Sequence, residues 1–263
     1  MKRAYADIPE GQMHYRSEGE GEPLLLLHMA VGSSDEFTRL IPLLSPTYRA
    51  IAPDLLGYGD SDSAPRRYEV LDHARAVVSF MDSLGIKRAS VVGHHGGSMI
   101  AVELAVNWPE RVGKLVLYGT AIWRDEREDA QEYDPPAPDF TVQVQFASDG
   151  SHLLEWWRRA GMWGDNPPGI VEERVLEYIK AGPKGEEMAW ACRANDVRPK
   201  LPRISNPTLV LSGTQDPFYS VAAEVKSLIP KSVLTIIENG PLYADRVMPK
   251  EYARAVLRFL RPS

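Results

Sequence analysis

The sequence predicts an α/β protein, a doubly wound and mostly parallel sheet interrupted by a helical cap insertion. Three observations carry this. Short, fully apolar runs alternate with segments of helical periodicity, as repeated β–α–β units require. The alternation stops between about Ala121 and Ser205 and resumes at Pro207. The interrupting stretch is rich in proline, acidic residues and helix formers, and it holds five of the six tryptophans: Trp123, Trp156, Trp157, Trp163 and Trp190.

The elements follow in order. The first strands read as an antiparallel pair, with Met13 to Ser17 running into a turn at Gly19–Pro23. Leu24–Leu27 is apolar throughout, the mark of a strand buried on both faces. Ser34 is a candidate N-cap for a helix through Leu44. Arg49–Pro53 is the next strand, and a Gly/Asp/Ser-rich loop, Asp54–Asp62, follows it. Tyr68–Leu84 has a helical stripe of Leu71, Ala74, Val77, Val78 and Met81, and ends at Gly85, a natural C-cap. Ala89–Val92 is a short strand, followed by Gly93-His94-His95-Gly96-Gly97 and an apolar helix to about Asn107. Lys114–Tyr118, Thr208–Leu211 and Val233–Ile237 supply further strands, and Glu251–Leu260 a last helix. The expected division is a core of residues 1–121 and 206–263 and a helical cap of residues 122–205 over the strand C-termini. A separate domain on a linker is the weaker reading, because the chain returns to the same sheet.

Composition narrows the function classes. Hydrophobic content of 44% and charged content of 25% are ordinary for a globular chain of 263 residues. With 36 acidic and 30 basic side chains the net charge is −6, and no Lys/Arg cluster offers nucleic-acid phosphates a basic face. Cys192 is the one cysteine, which excludes an internal disulfide and a cysteine-rich metal site. The first residues lack the apolar core of a secretion signal, and no apolar run approaches the roughly 18 residues of a membrane helix. A cytoplasmic setting is the default expectation, with a small molecule rather than nucleic acid or membrane as partner. Nothing in the sequence sets the oligomeric state.

Four spaced motifs resemble those of the α/β-hydrolase superfamily. A buried strand ends in His28-Met29-Ala30-Val31-Gly32, similar to the family's His-Gly oxyanion loop with Met29 at the usual glycine. Asp54-Leu55-Leu56-Gly57-Tyr58-Gly59-Asp60-Ser61 resembles the loop after the next strand. Val91 to Ala105 resembles the strand–turn–helix of the nucleophile elbow. Gly213-Thr214-Gln215-Asp216-Pro217 resembles the loop that presents the triad acid.

The departures from that pattern decide the chemistry. At the middle of Gly-x-Ser-x-Gly the chain has His95, and near the C-terminus Asn239-Gly240-Pro241-Leu242-Tyr243 replaces the family's Gly-His pair. Either Pro241 or Leu242 stands at the histidine position, and no histidine follows His152. Of the three triad members the resemblance leaves only the acid, Asp216. A serine acyl-enzyme route therefore lacks both nucleophile and base. A dehalogenase would need a carboxylate at His95.

An imidazole at the sharp turn is long enough to reach toward Asp216. The main expectation is a cofactor-free His95–Asp216 dyad acting as general base on water or on a substrate proton, in hydrolase or lyase-type chemistry. Backbone N–H groups of Ala30 and Gly96 would form the oxyanion hole. Direct attack by His95 on an acyl group is a weaker route, since acyl-imidazoles are labile. The alternative is a non-catalytic, receptor-like relative in which His95 fills the pocket. His94 reads as a packing residue. His28, Trp123, His152 and Tyr243 are candidate pocket residues, although a histidine near a helix start, as His152 is, is more often a cap-packing group. The aromatic insertion points to a small apolar or aromatic substrate. His28, His95 and Asp216 could approach one another as metal ligands, but no ready ligand spacing supports this, and no metal is expected.

Overall fold

The computed structural model describes residues 1–122, 144–161 and 166–261. Eight strands form one sheet: β1 (Lys2–Ile8), β2 (Gly11–Glu18), β3 (Pro23–Leu27), β4 (Arg49–Pro53), β5 (Ala89–His94), β6 (Val112–Tyr118), β7 (Thr208–Gln215) and β8 (Ser232–Pro241). Their order is β1-β2-β4-β3-β5-β6-β7-β8. β2 is antiparallel to both β1 and β4, and every other pair is parallel.

The helices are α1 (Ile41–Leu44), α2 (Val70–Ser83), α3 (Gly96–Asn107), α4 (Ser151–Gly161), α5 (Pro168–Ala181), α6 (Glu187–Ala194), α7 (Tyr219–Leu228), α8 (Ala244–Val247) and α9 (Pro249–Leu260). Side-chain alternation splits the core into two layers. Leu25, Leu27, Val91, Leu115 and Leu117 face α2, α3 and α7, while Leu24, Leu26, Val92, Val116 and Leu211 face α1 and α9. The uninterrupted apolar run Leu24–Leu27 is thus buried on both faces, as expected of a central parallel strand.

The expected helix from Ser34 to Leu44 is corrected. A 3₁₀ turn spans Ser34–Thr38, and α1 is a separate single turn. The cap is Ser33, whose hydroxyl accepts from Asp35 N, rather than Ser34. Tertiary hydrogen bonds outcompete the helix here: Ser34 N donates to Asp54 Oδ1 (2.6 Å), and Glu36 is drawn inward to Met29 N (3.2 Å). By contrast α2, expected over Tyr68–Leu84, spans Val70–Ser83, with Asp72 accepting from Glu69 N at its start and Gly85 at φ 66° beyond its end.

Helices α4, α5 and α6 enter between β6 and β7 and pack across the C-terminal ends of the strands. Val31, after β3, sits in a cluster with Trp156, Ala160, Val171 and Tyr178. Tyr243, beyond β8, donates its hydroxyl to Ala160 O at 3.1 Å, and Arg174 donates to Ala30 O at 3.1 Å. Among the described residues no helix is long and apolar enough to cross a membrane.

Candidate active site

β5 ends at His94, and α3 begins at Gly96, so His95 occupies a one-residue turn. Its backbone is at φ 47°, ψ −110°, a region that side-chain-bearing residues rarely adopt. Gly97 permits the turn: a Cβ there would overlap the carbonyl of Leu27, so only glycine lets α3 start this close to β3. The turn projects the imidazole beyond the C-terminal edge of the sheet.

Asp216 follows β7, two strands away. His95 Nε2 lies 2.7 Å from Asp216 Oδ2, and Phe218 N donates to the other carboxylate oxygen at 2.8 Å. A carboxylate only accepts, so the proton in the first contact sits on Nε2 and the neutral ring keeps its lone pair on Nδ1. Nδ1 has no hydrogen-bond partner among the described residues. The His95 side chain keeps 7% of its surface open while that of Asp216 has none. Gly119, at φ 59°, makes room for the ring; a Cβ there would overlap His95 Nε2. Tyr118 and Phe218 flank the imidazole, with ring centroids 6.1 and 5.2 Å away.

The amide of Ala30 lies close to Gly96, the residue after His95. A Cβ built on Gly96 would be 3.1 Å from Ala30 N, and neither amide has an acceptor among the described residues. Gly96 N belongs to the first turn of α3, where N–H groups lack intrahelical partners. The same Gly96 Cβ would be 2.6 Å from Met188 Cε, so the α6 methionine packs directly against Gly96. Met188 is held by its own amide, which donates to Tyr58 Oη at 3.0 Å, while that hydroxyl donates to Gly185 O.

His94 points elsewhere, its ring at 77° to that of His95. Its Nε2–H donates to Leu242 O (2.9 Å), so Nδ1 bears the lone pair and faces Glu36 Oε1 at 2.7 Å. That contact needs a proton. Burial raises Glu36 from 4.5 to about 7 and lowers His94 to about 4, so the proton resides on the carboxyl. Asp245, 3.6 Å from the same nitrogen, is likewise raised by burial to about 7. Behind it Arg246 pairs with Glu177 (2.6 Å) and Glu173 (3.2 Å), and Arg174 pairs with Glu177. This buried charge network ties α8 and α5 to the Ala30–Val31 loop. Glu36, Asp245, Arg174, Arg246 and Met188 carried no motif in the sequence. Glu36 stands in the polar stretch Ser33-Ser34-Asp35-Glu36-Phe37-Thr38-Arg39, so nothing local marked it as buried.

The other sequence candidates are placed differently. His28 is corrected from pocket residue to loop anchor: its Nδ1–H donates to Met29 O (2.8 Å) and its Nε2 accepts from Leu55 N (3.0 Å), leaving no free nitrogen. Tyr243 is also buried, bridging sheet and insertion in a cluster with Met29, Ile170 and Leu242. His152 accepts from Ala147 N and packs edge-on against Phe146 and Trp156, the cap-packing role. Trp123 lies outside the described residues. His28, His95 and Asp216 form no ligand cluster among the described residues.

Comparison with known proteins agrees with this architecture. Residues 22–155 match the family model described as the α/β hydrolase fold. The chain is 37% identical to 2-hydroxy-6-oxo-6-phenylhexa-2,4-dienoate hydrolase of Comamonas testosteroni, over 97% of this chain and 93% of that protein. It is 36% identical to haloalkane dehalogenase 2 of Mycobacterium tuberculosis, over 95% and 92%. Among solved structures, a bromoperoxidase from Bacillus anthracis superposes with TM-score 0.86 at 22% identity, covering 99% of this chain and 100% of that one. A meta-cleavage product hydrolase from Pseudomonas fluorescens gives 0.74 at 22%, covering 97% and 96%. The chain therefore belongs to the α/β hydrolase fold family. The Comamonas and mycobacterial relatives are both named as enzymes that act on small molecules.

Proposed function

We propose that this protein is a cofactor-free member of that family in which His95 is the general base and Asp216 its orienting acid. One observation carries the reading: the 2.7 Å contact engages Nε2 and leaves Nδ1 free. Polarity is then opposite to that of a Ser-His-Asp triad, where the acid holds Nδ1 and Nε2 is the base. Nδ1 takes a proton from water, the hydroxide adds to a substrate carbonyl, and the oxyanion is held by Ala30 N–H and Gly96 N–H. The imidazolium, supported by Asp216, returns its proton to the leaving group. The same base removes a carbon- or oxygen-bound proton if the chemistry is lyase-type. Helices α4–α6 act as the cap, and Met188 must swing from Gly96 before a carbonyl oxygen can enter.

The substrate class is small and apolar or aromatic. The Comamonas relative is named for a phenyl-bearing dienoate and the mycobacterial one for haloalkanes. Dehalogenase chemistry is not carried over, because an imidazole rather than a carboxylate stands at the turn. A non-catalytic receptor role has one observation in its favour, the methionine packed against Gly96.

A panel of small aromatic esters, ketones and acids, tested with wild type and His95→Ala, separates the two. An enzyme loses turnover in the variant and keeps substrate binding. A receptor shows no turnover in either and changes affinity alone.

A further inference from the structure

The protein holds a cavity of about 260 Å³ between the loop after β4 and the inserted helices, lined by neither His95 nor Asp216. Leu56, Ala64 and Ala181 form its apolar wall, and Tyr58, Tyr68 and His73 supply three rings. Tyr68 meets His73 edge-on at 5.2 Å, and Tyr58 is tilted at 6.5 Å. Tyr58 cannot fall into the space, since its hydroxyl is fixed between Gly185 O and Met188 N. The cavity is preformed.

His73, on α2, is 3% exposed, and neither ring nitrogen has a hydrogen-bond partner among the described residues. Nδ1 is sealed, whereas Nε2 keeps some exposed surface, and the residue lines the cavity. Buried polar groups nearly always find a partner, so an imidazole left open toward a space marks that space for an occupant. Burial lowers its pKa to about 4, which leaves it uncharged at neutral pH. The lining also carries Lys184 and Glu187, one of each sign, so no net charge selects an ion. The volume falls just under the roughly 300–1,000 Å³ of sites for drug-sized ligands, which suits a single ring.

We propose that this cavity is a second binding site for a single-ring aromatic alcohol, its ring against Tyr58 and Tyr68 and its hydroxyl on His73. A hydroxyl both donates and accepts, so it satisfies either tautomer. The proposal is independent of the chemistry assigned to His95.

The test is calorimetric or saturation-transfer titration of the intact protein with phenol, alongside toluene and benzoate. Phenol should saturate, with toluene and benzoate at least fivefold weaker. His73→Phe keeps the ring volume and should weaken phenol at least fivefold, Ala64→Leu should abolish binding by filling the space, and His95→Ala should leave it unchanged. If His73→Phe does not fold, Ala64→Leu decides. Absence of saturable phenol binding overturns the proposal, as does equal affinity for toluene. Binding that disappears in His95→Ala and persists in Ala64→Leu places phenol beside His95 and equally overturns it.

Discussion

Replacing Asp216 by asparagine tests the polarity of the dyad rather than its mere presence. In the native protein Oδ1 accepts from Phe218 N and Oδ2 from His95 Nε2–H. The asparagine must keep its oxygen toward Phe218, because the flipped amide would set two donors face to face in a buried site. Leaving such a donor unpaired costs about 1–3 kcal/mol. The NH₂ group then faces Nε2, which becomes an acceptor, and the ring proton moves to Nδ1. The base nitrogen is thereby occupied while the geometry is nearly unchanged. General base catalysis contributes about 10²–10⁴-fold, which is roughly 2.7–5.5 kcal/mol of barrier. We expect kcat to fall by that factor with KM within about threefold, measured on any turned-over substrate of the ester and ketone panel. Nitrogen-15 spectra of labelled protein should report the change independently of substrate, with the His95 proton on Nε2 in wild type and on Nδ1 in the variant. A variant that keeps its proton on Nε2, or retains activity within threefold, refutes the reasoning.

Three further perturbations follow from the same contacts. Gly119→Ala puts a Cβ where His95 Nε2 lies and an alanine at φ 59°, the latter alone costing about 1–2 kcal/mol; melting should drop a few degrees, activity should fall at least about 10²-fold, and a variant structure should show the imidazole parted from Asp216. For Glu36→Gln, burial has raised the native carboxyl to about 7 from 4.5, so its stabilisation is complete below about pH 4.5 and is lost as pH rises through 7. The wild-type advantage in melting temperature over this variant should therefore be largest in acid and shrink toward pH 8, and a pH-independent difference would contradict the assignment of the proton. Arg246→Met leaves Glu177 with Arg174 alone and Asp245 without its nearest cation, which should cost about 3–5 kcal/mol by thermal or urea unfolding. Adding Glu177→Gln to that variant should recover part of the loss.

How much of this was legible in the sequence differs element by element. Leu24–Leu27 and the stripe of α2 were readable because burial on both faces, or along one helical face, is written directly in which residues are apolar. The stretch from Ser34 to Leu44 reads locally as one helix, because the hydrogen bonds that break it come from Asp54 and Met29, which local propensity does not register. His28 and Tyr243 stand in motif loops that make them candidate pocket residues, and only the backbone groups of Met29, Leu55 and Ala160 reveal that their polar atoms are engaged. Arg174 and Arg246 stand in no sequence motif, and only folding buries them beside Glu177.

The sequence by itself determined the layered α/β architecture, the family, and the presence of imidazole instead of hydroxyl at the sharp turn after β5. These follow from residue pattern and identity at fixed spacing. The tertiary structure alone decided that Asp216 meets Nε2 and so frees Nδ1, that Met188 covers Gly96, and that Glu36, His94 and Asp245 converge. Each is a matter of direction between groups 58 to 151 positions apart in the chain, or brought together by packing. Direction across such separations is set by how strands and helices stack, which no local pattern encodes.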